Sequence, residues 1–344
     1  MTRPPSVGRA LGRAFALVRR SARYLLLAYG LNLVLALLLG AVVFDAVRTS
    51  LGSSLAGSRM RAGWDARWYE SFSTQAQGVA STFRPGVAGP GGLFEGLDAF
   101  LDGFSSLLAR GPGTGILLVA VVYLLSWSFL GAAFLGTFAQ RPAAGGFLAR
   151  GARWFPRILP LTVLGFVFYA ALLGPARGAL ADRLEGALHE VSDERVRLAW
   201  TVAAYGALWT LILLGNLVLD YAKVLVVLRD DVGRLMPPLR ALGAAVRLVM
   251  SRPLTTAGLY AVTGLLGFLA MAVYVAVVPI AGDASGLAVA GTFLLGQILV
   301  MGRIALRALF LAGEVTVATS AISARRVDVT YTAAPEAPPM ARAI

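Results

Sequence analysis

Apolar residues in this chain gather into six long blocks instead of alternating or recurring every third or fourth position. The first two, Tyr24–Phe44 and Thr114–Thr137, contain no charged residue. The third is Ile158–Gly174, the fourth Leu198–Leu219 and the fifth Pro253–Ala281; the sixth begins near Ser285 and meets its first charge at Arg303. About 20 apolar residues carry an α-helix across a hydrocarbon core of about 30 Å. Lipid offers no partner to bare backbone N–H and C=O groups, so each block must be helical. The pattern predicts an all-α polytopic integral membrane protein with six transmembrane helices in three hairpins (1+2, 3+4, 5+6). The first block is longer than the apolar core of a signal peptide and no clear small-x-small site follows it, so it reads as a retained spanning helix.

Composition agrees: 58% of residues are hydrophobic and 14% charged, against about 25% charged in soluble domains. Charge then orients the helices. The segments 1–23, 138–157, 220–252 and everything from Arg303 hold 21 of the 31 Lys/Arg and 6 of the 18 Asp/Glu. The remaining loops hold 10 Arg and 12 Asp/Glu. The positive-inside rule places both termini in the cytoplasm. The net charge of +13 is therefore a topology signal and an attraction to anionic lipid. No nucleic-acid-binding motif accompanies it, and no nucleic-acid partner is expected. Cysteine is absent, which excludes disulfides and thiolate metal sites.

The division along the chain is a basic cytoplasmic elbow, 1–23; a six-helix domain, 24–327, with an external loop at 45–113; and a proline-rich tail, 328–344, expected to be disordered. "RALGRAFALV" at Arg9–Val18 and "RALGAAVRLV" at Arg240–Val249 agree at seven of ten positions. A looser copy, "FLARGARWFPR", occupies Phe147–Arg157. Each precedes a helix that runs outward, so the repeat predicts three basic elbows. In the Arg240–Val249 copy, Leu242, Val246 and Val249 share one side while Arg240 and Arg247 lie elsewhere, as in an interfacial helix whose arginines snorkel. Arg9, Arg13, Arg150, Arg153, Arg240 and Arg247 are the expected headgroup-binding residues. In the loop 45–113, Trp64, Trp68, Tyr69 and Phe72 mark one amphipathic helix. Leu93, Phe94, Leu97, Phe100, Leu101, Phe104, Leu107 and Leu108 mark a second.

Few constellations suggest chemistry. Glu95, Asp98 and Asp102 share a face opposite the second stripe, but no histidine or further carboxylate completes a ligand set, so no metal site is expected. His189, the only histidine, lies on a polar external segment without partners for Ser/His/Asp catalysis. No Walker-type phosphate loop is present and no cofactor is expected. Glycines such as those of "GLLGFLA" at 264–270 read as small-residue helix contacts.

Polar groups at membrane depth remain: Asn32, Asn216, Asp220, Lys223, Gln297, Arg303 and Arg307. Such groups are costly in lipid and face the bundle interior or water. Lys223 is the only lysine. Counting about 1.5 Å of rise per residue from Leu198 and from Ser285 puts Asp220, Lys223, Arg303 and Arg307 near the inner membrane boundary. Asn216, Asp220 and Lys223 share a face, and Asp220 is expected to pair with Lys223 or with an arginine of the sixth helix. The leading expectation is that these charges mark where two long helices leave the membrane and snorkel. A polar pocket at the cytoplasmic mouth and an ion or proton relay are the alternatives.

"NLVLDYAKVLVVLRDD", followed by "LRALGAAVRLVMSRPL" and a further apolar helix, resembles a group of uncharacterised bacterial six-helix membrane proteins. That group includes the membrane domain fused to some glycerophosphodiester phosphodiesterases. The resemblance spans roughly residues 140–310. The soluble phosphodiesterase domain has no counterpart in this chain, so neither its activity nor any catalytic residue carries over. The reading that results is a non-enzymatic membrane protein whose basic elbows bind lipid headgroups, with membrane lipids as partners and a protein partner or a second copy also open. A transporter or permease-like subunit, with its polar site at the cytoplasmic ends of helices 4 and 6, is the first alternative. A lipid-acting membrane enzyme is the second.

Overall fold

A computed structural model describes residues 6–52, 55–59, 65–77, 80, 83, 114–139, 146–228, 238–277 and 286–332. These residues form helices and no strands. In chain order the helices are α1 (Val7–Arg20), α2 (Ala22–Gly52), α3 (Ala56–Arg59), α4 (Ala66–Gln75), α5 (Thr114–Phe138), α6 (Phe147–Ala171), α7 (Arg177–Leu188), α8 (Glu194–Leu228), α9 (Pro238–Ser251), α10 (Pro253–Val277) and α11 (Gly286–Thr332). A π-helical stretch, Leu172–Ala176, joins α6 to α7.

Six of these runs are long and apolar enough to cross a membrane, one for each block of the sequence. Their outer surfaces leave Leu26, Leu38, Trp200, Leu265, Phe268 and Ile298 more than half exposed. A water-soluble protein does not present so broad an apolar surface. Lipid wets it. Pro238 and Pro253 stand at the first positions of α9 and α10, where a missing N–H costs no hydrogen bond. Pro175 falls inside the π-helical stretch, where the shifted bonding absorbs the amide that proline lacks.

Packing is uneven along the bundle. The buried residues of α5 run from Ser128 to Phe138, those of α6 from Phe147 to Gly165, those of α8 mostly from Leu217 to Val227, and those of α11 from Ile304 to Ala321. Stacked rings of Tyr24 and Phe147, 4.6 Å apart, and the edge contact of Phe134 with Phe147 gather α2, α5 and α6 at this end. The helices α1 and α9 pack there too, so we call it the basic end. Toward the opposite end fewer side chains are buried and apolar ones are left exposed.

The elbows differ from the expectation. The helix α1 lays Ala10, Ala14 and Val18 against the bundle, mainly on α11, while Arg9, Arg13, Arg19 and Arg20 stay exposed. In α9 the buried face is Ala241, Ala244, Ala245, Leu248 and Val249, and Val246 is 45% exposed. Val246 therefore points away from the face to which the sequence reading assigned it. Alanines set the α8–α9 approach because small side chains let two backbones come close. The third basic segment is no separate elbow, since Phe147–Arg157 forms the first turns of α6. At the other terminus α11 continues to Thr332, so residues 328–332 are helical and not tail; 333–344 lie outside the described residues.

The helix α4, part of the amphipathic helix that the aromatic stripe marks, folds back on the end of α2. Trp68 and Phe72 are buried beside Val47 and Leu51, and Trp68 Nε1 donates to Ser50 Oγ at 3.0 Å. Asp65 caps α4 by accepting from the Trp68 N–H. That bond, and then the Arg59 side chain, hold its carboxyl below the usual range. The second loop stripe, with Glu95, Asp98 and Asp102, and Trp64 of the first lie outside the described residues.

Close helix approach is carried by other glycines than those of "GLLGFLA". A Cβ at Gly151 would lie 2.8 Å from the Phe129 ring, and one at Gly313 would lie 2.9 Å from Leu259. At Gly215 it would collide with the ring of Phe168. Gly215→Ala is therefore expected to destabilise the detergent-solubilised protein by about 1–3 kcal/mol, the usual cost of overpacking. A thermal or denaturant unfolding curve against native protein checks this; an unchanged midpoint would place Phe168 elsewhere.

Candidate functional site

Asp220 and Lys223 of α8 meet Arg307 of α11. Asp220 lies on the inward face of α8, and its carboxylate is fully enclosed. Lys223 Nζ donates to its Oδ1 at 3.1 Å. The Arg307 guanidinium reaches across from α11 as a fork, Nη1 to Oδ2 and Nη2 to Oδ1, both at 3.2 Å. The sequence left Asp220 a choice between Lys223 and an arginine of the sixth helix. The structure gives it both. It does not snorkel: an enclosed carboxylate is tolerable only with such charge-assisted bonds on both oxygens.

The other polar residues make single bonds between helices. Asn216 donates to the Tyr260 hydroxyl on α10. The Tyr29 hydroxyl of α2 donates to Gln297 on α11 at 2.9 Å. Asn216 therefore sits beside the ion-pair cluster on α8, and Gln297 stands apart from it toward the open end.

Arg303 has no ion-pair or hydrogen-bond partner among the described residues and is exposed. It lines a cavity of about 730 Å³. Asn32 of α2, Tyr123 and Trp127 of α5, Leu213 of α8, Tyr260, Thr263, Gly264 and Gly267 of α10, and Val300, Arg307 and Phe310 of α11 complete much of its wall. No heavy atom lies within 4 Å of a Cβ placed at Gly264 or Gly267. These two glycines, read from sequence as helix contacts, instead leave the cavity its width. Arg307 faces it too, its guanidinium 5.5 Å from the centre of the Phe310 ring. Beyond Arg307 lies a smaller enclosed cavity of about 140 Å³ with Ser128, Thr162 and Lys223 in its wall.

Among the elbow arginines, Arg9, Arg13, Arg240 and Arg247 are exposed. Arg150 is turned inward: it donates to Thr137 on α5 at 3.5 Å, and its buried Nε has no hydrogen-bond partner. Its Cβ lies close to Gly136 of α5, and the residue is half-buried, unlike the other elbow arginines. Arg153 is exposed with its guanidinium 5.2 Å from the Trp154 ring centre.

One group of the cluster was missed. Glu314 is 0% exposed on α11, and neither carboxylate oxygen has a hydrogen-bond partner. It falls beyond Arg303, where the sequence reading had ended the membrane span and counted every charge as cytoplasmic. The available signal was spacing, since Glu314 follows Arg307 by two helical turns and shares its face. Tyr221, next to Asp220, is buried with its hydroxyl also unpartnered.

Comparison of the chain with protein-family models, with curated proteins and with solved structures was uninformative as to kinship. None of the three yields a match. The site's own chemistry carries the functional reading. Among the described residues no group of three or more His, Asp or Glu is placed to hold a metal ion.

Proposed function

We propose that this protein binds an anionic lipid, taken from the leaflet at the basic end of the bundle, with the charged headgroup in the cavity against Arg303 and Arg307. The observation that carries the reading is Arg303, a cation without a partner among the described residues, in the wall of a cavity of about 730 Å³. An unpaired arginine at membrane depth is costly, and a negatively charged occupant offsets that cost. The size suits a small-molecule site, within the usual range of about 300–1,000 Å³.

The wall is amphiphilic in the way a lipid requires. Arg303, Arg307, Asn32, Tyr260 and Thr263 supply polar contacts, while Leu213, Val300, Ile304 and Phe310 supply apolar ones. No Asp, Glu or His stands in that wall, which favours binding over acid–base chemistry on the ligand. The exposed arginines of α1 and α9 attract anionic lipid toward this end, at about 1 kcal/mol for each basic residue near the surface. The elbows thus concentrate the ligand, and the cavity binds it. By the distribution of basic residues this end faces the cytoplasm and the protein is a multi-pass plasma-membrane protein.

The test is titration of purified protein in non-ionic detergent with short-chain phosphatidylglycerol, with a zwitterionic phosphatidylcholine and inorganic phosphate as controls. Arg303→Ala is expected to weaken phosphatidylglycerol binding at least about tenfold, the loss of roughly 1.4 kcal/mol, without lowering thermal stability. Equal affinity of variant and native protein, or equal affinity for the zwitterionic lipid, overturns the reading. Binding of inorganic phosphate alone would assign the cavity to a soluble anion.

A further inference from the structure

We propose that the small enclosed cavity beside Arg307 is a site for one small monovalent anion of the chloride class, held by Lys223, Arg307 and Thr162. It is separate from the lipid cavity and does not depend on it. Lys223 and Arg307 both bond the single Asp220 carboxylate, so the three groups carry one positive charge in excess. Glu314 does not balance it. That carboxyl is sealed from solvent and accepts no hydrogen bond, and a carboxyl buried without a bond stays neutral.

Unspent donors point to the same place. An ammonium carries three N–H bonds and a guanidinium five. Among the described residues Lys223 spends one of its three and Arg307 two of its five, all on Asp220. Both side chains stand in the wall of the cavity of about 140 Å³ that lies between α5, α6, α8 and α11. Thr162 lines it too, and its hydroxyl donates to the Ile158 carbonyl only at 3.4 Å. So long a bond is weak, and the proton turns to a better acceptor at little cost. Ser128 is less available, because it donates to the Leu124 carbonyl at 2.7 Å. No Asp, Glu or His lines this cavity, so nothing in its wall repels an anion. Phe134, Leu135 and Leu311 close other parts of the wall, and such an apolar surround strengthens the pull of an excess charge on a counterion.

Size and access select a free ion. The enclosed volume has room for one chloride and several waters, and a lipid with its chains does not enter it. Trp127, Ile304 and Arg307 line both cavities, so the larger one is the way in and the Arg307 side chain is part of the partition. The charges then close: Lys223, Arg303 and Arg307 are matched by Asp220, one anionic lipid and one small anion.

Equilibrium binding of radiolabelled chloride to purified protein in non-ionic detergent, with gluconate as the balancing anion, tests the site. Native protein is expected to bind one chloride per chain, displaced by bromide and not by the bulky gluconate. It should also melt at a higher temperature in chloride than in gluconate, since a ligand held only by the folded state stabilises it. Lys223→Met leaves Asp220 its two bonds to Arg307 and removes the excess charge. It is expected to weaken chloride binding at least about tenfold, as loss of a hydrogen bond to a charged group does, and to melt alike in both salts. Thr162→Val keeps the side-chain shape and both cations; it is expected to weaken binding severalfold and serves if Lys223→Met does not fold. Absence of saturable chloride binding by native protein overturns the inference and assigns the cavity to water. Binding unchanged in both variants overturns it as well. So does binding lost in Arg303→Ala but kept in Lys223→Met, which would place the ion in the larger cavity.

Discussion

Arg307→Ala is expected to lower the stability of the protein in detergent by about 1–3 kcal/mol, the usual cost of leaving an enclosed acceptor short of partners, since Asp220 is fully enclosed while Arg307 is itself 43% exposed. The reason is what remains. The Asp220 carboxylate is fully enclosed and loses two of its three hydrogen bonds, while Lys223 alone cannot satisfy both oxygens. A paired control separates charge from packing. Asp220→Asn combined with Arg307→Met removes the buried charge together with its counterion, and should recover most of the loss, since apolar replacements of whole ion pairs are often neutral or better. Chemical unfolding of the single and double variants measures both. A loss below about 1 kcal/mol for Arg307→Ala would describe an exposed, snorkelling pair instead.

Gly267→Leu is the second large effect, and it moves binding and stability in opposite directions. A side chain at this position enters the cavity without striking protein, because nothing lies within 4 Å of its Cβ. Replacing glycine in a helix interior also removes backbone freedom from the unfolded state, worth about 0.5–1 kcal/mol. The variant is therefore expected to unfold at the same or a higher temperature while losing saturable lipid binding. Lipid titration and a melting curve on one preparation report both properties. Lower stability would mean that the helices close on the cavity. Undiminished binding would mean that the ligand sits elsewhere.

The six spanning helices were legible because membrane burial imposes continuous apolar runs, and length alone separates those runs from core helices. The amphipathic helix α4 was legible for a similar reason, from the spacing of Trp68 and Phe72. Pairing at Asp220 was legible in kind, since a carboxylate among apolar residues demands a cation. Its depth of burial was not, because rise along one helix locates a residue relative to lipid and says nothing of the neighbours around it. That is why Asp220 was expected to snorkel and proved enclosed, and why Glu314, placed beyond the membrane, was passed over. The glycines illustrate the same limit. Gly215 and Gly267 look alike in sequence, yet one touches Phe168 and the other faces empty space.

The elbows show where a repeat can mislead. "FLARGARWFPR" keeps the composition of the other two segments, but no break comes between its arginines and the following apolar run, so it continues into α6. In the first copy Ser21 separates α1 from α2; in the other, Pro253 starts a new helix. Local backbone chemistry decides between an elbow and a helix start, and a ten-residue similarity does not contain it.

Native mass spectrometry of protein extracted in mild detergent tests the central claim most directly. The expected spectrum shows one anionic lipid bound per chain to native protein, absent from Gly267→Leu at equal folding. Native protein free of lipid, or an anionic lipid retained equally by both, would contradict the assignment of the cavity.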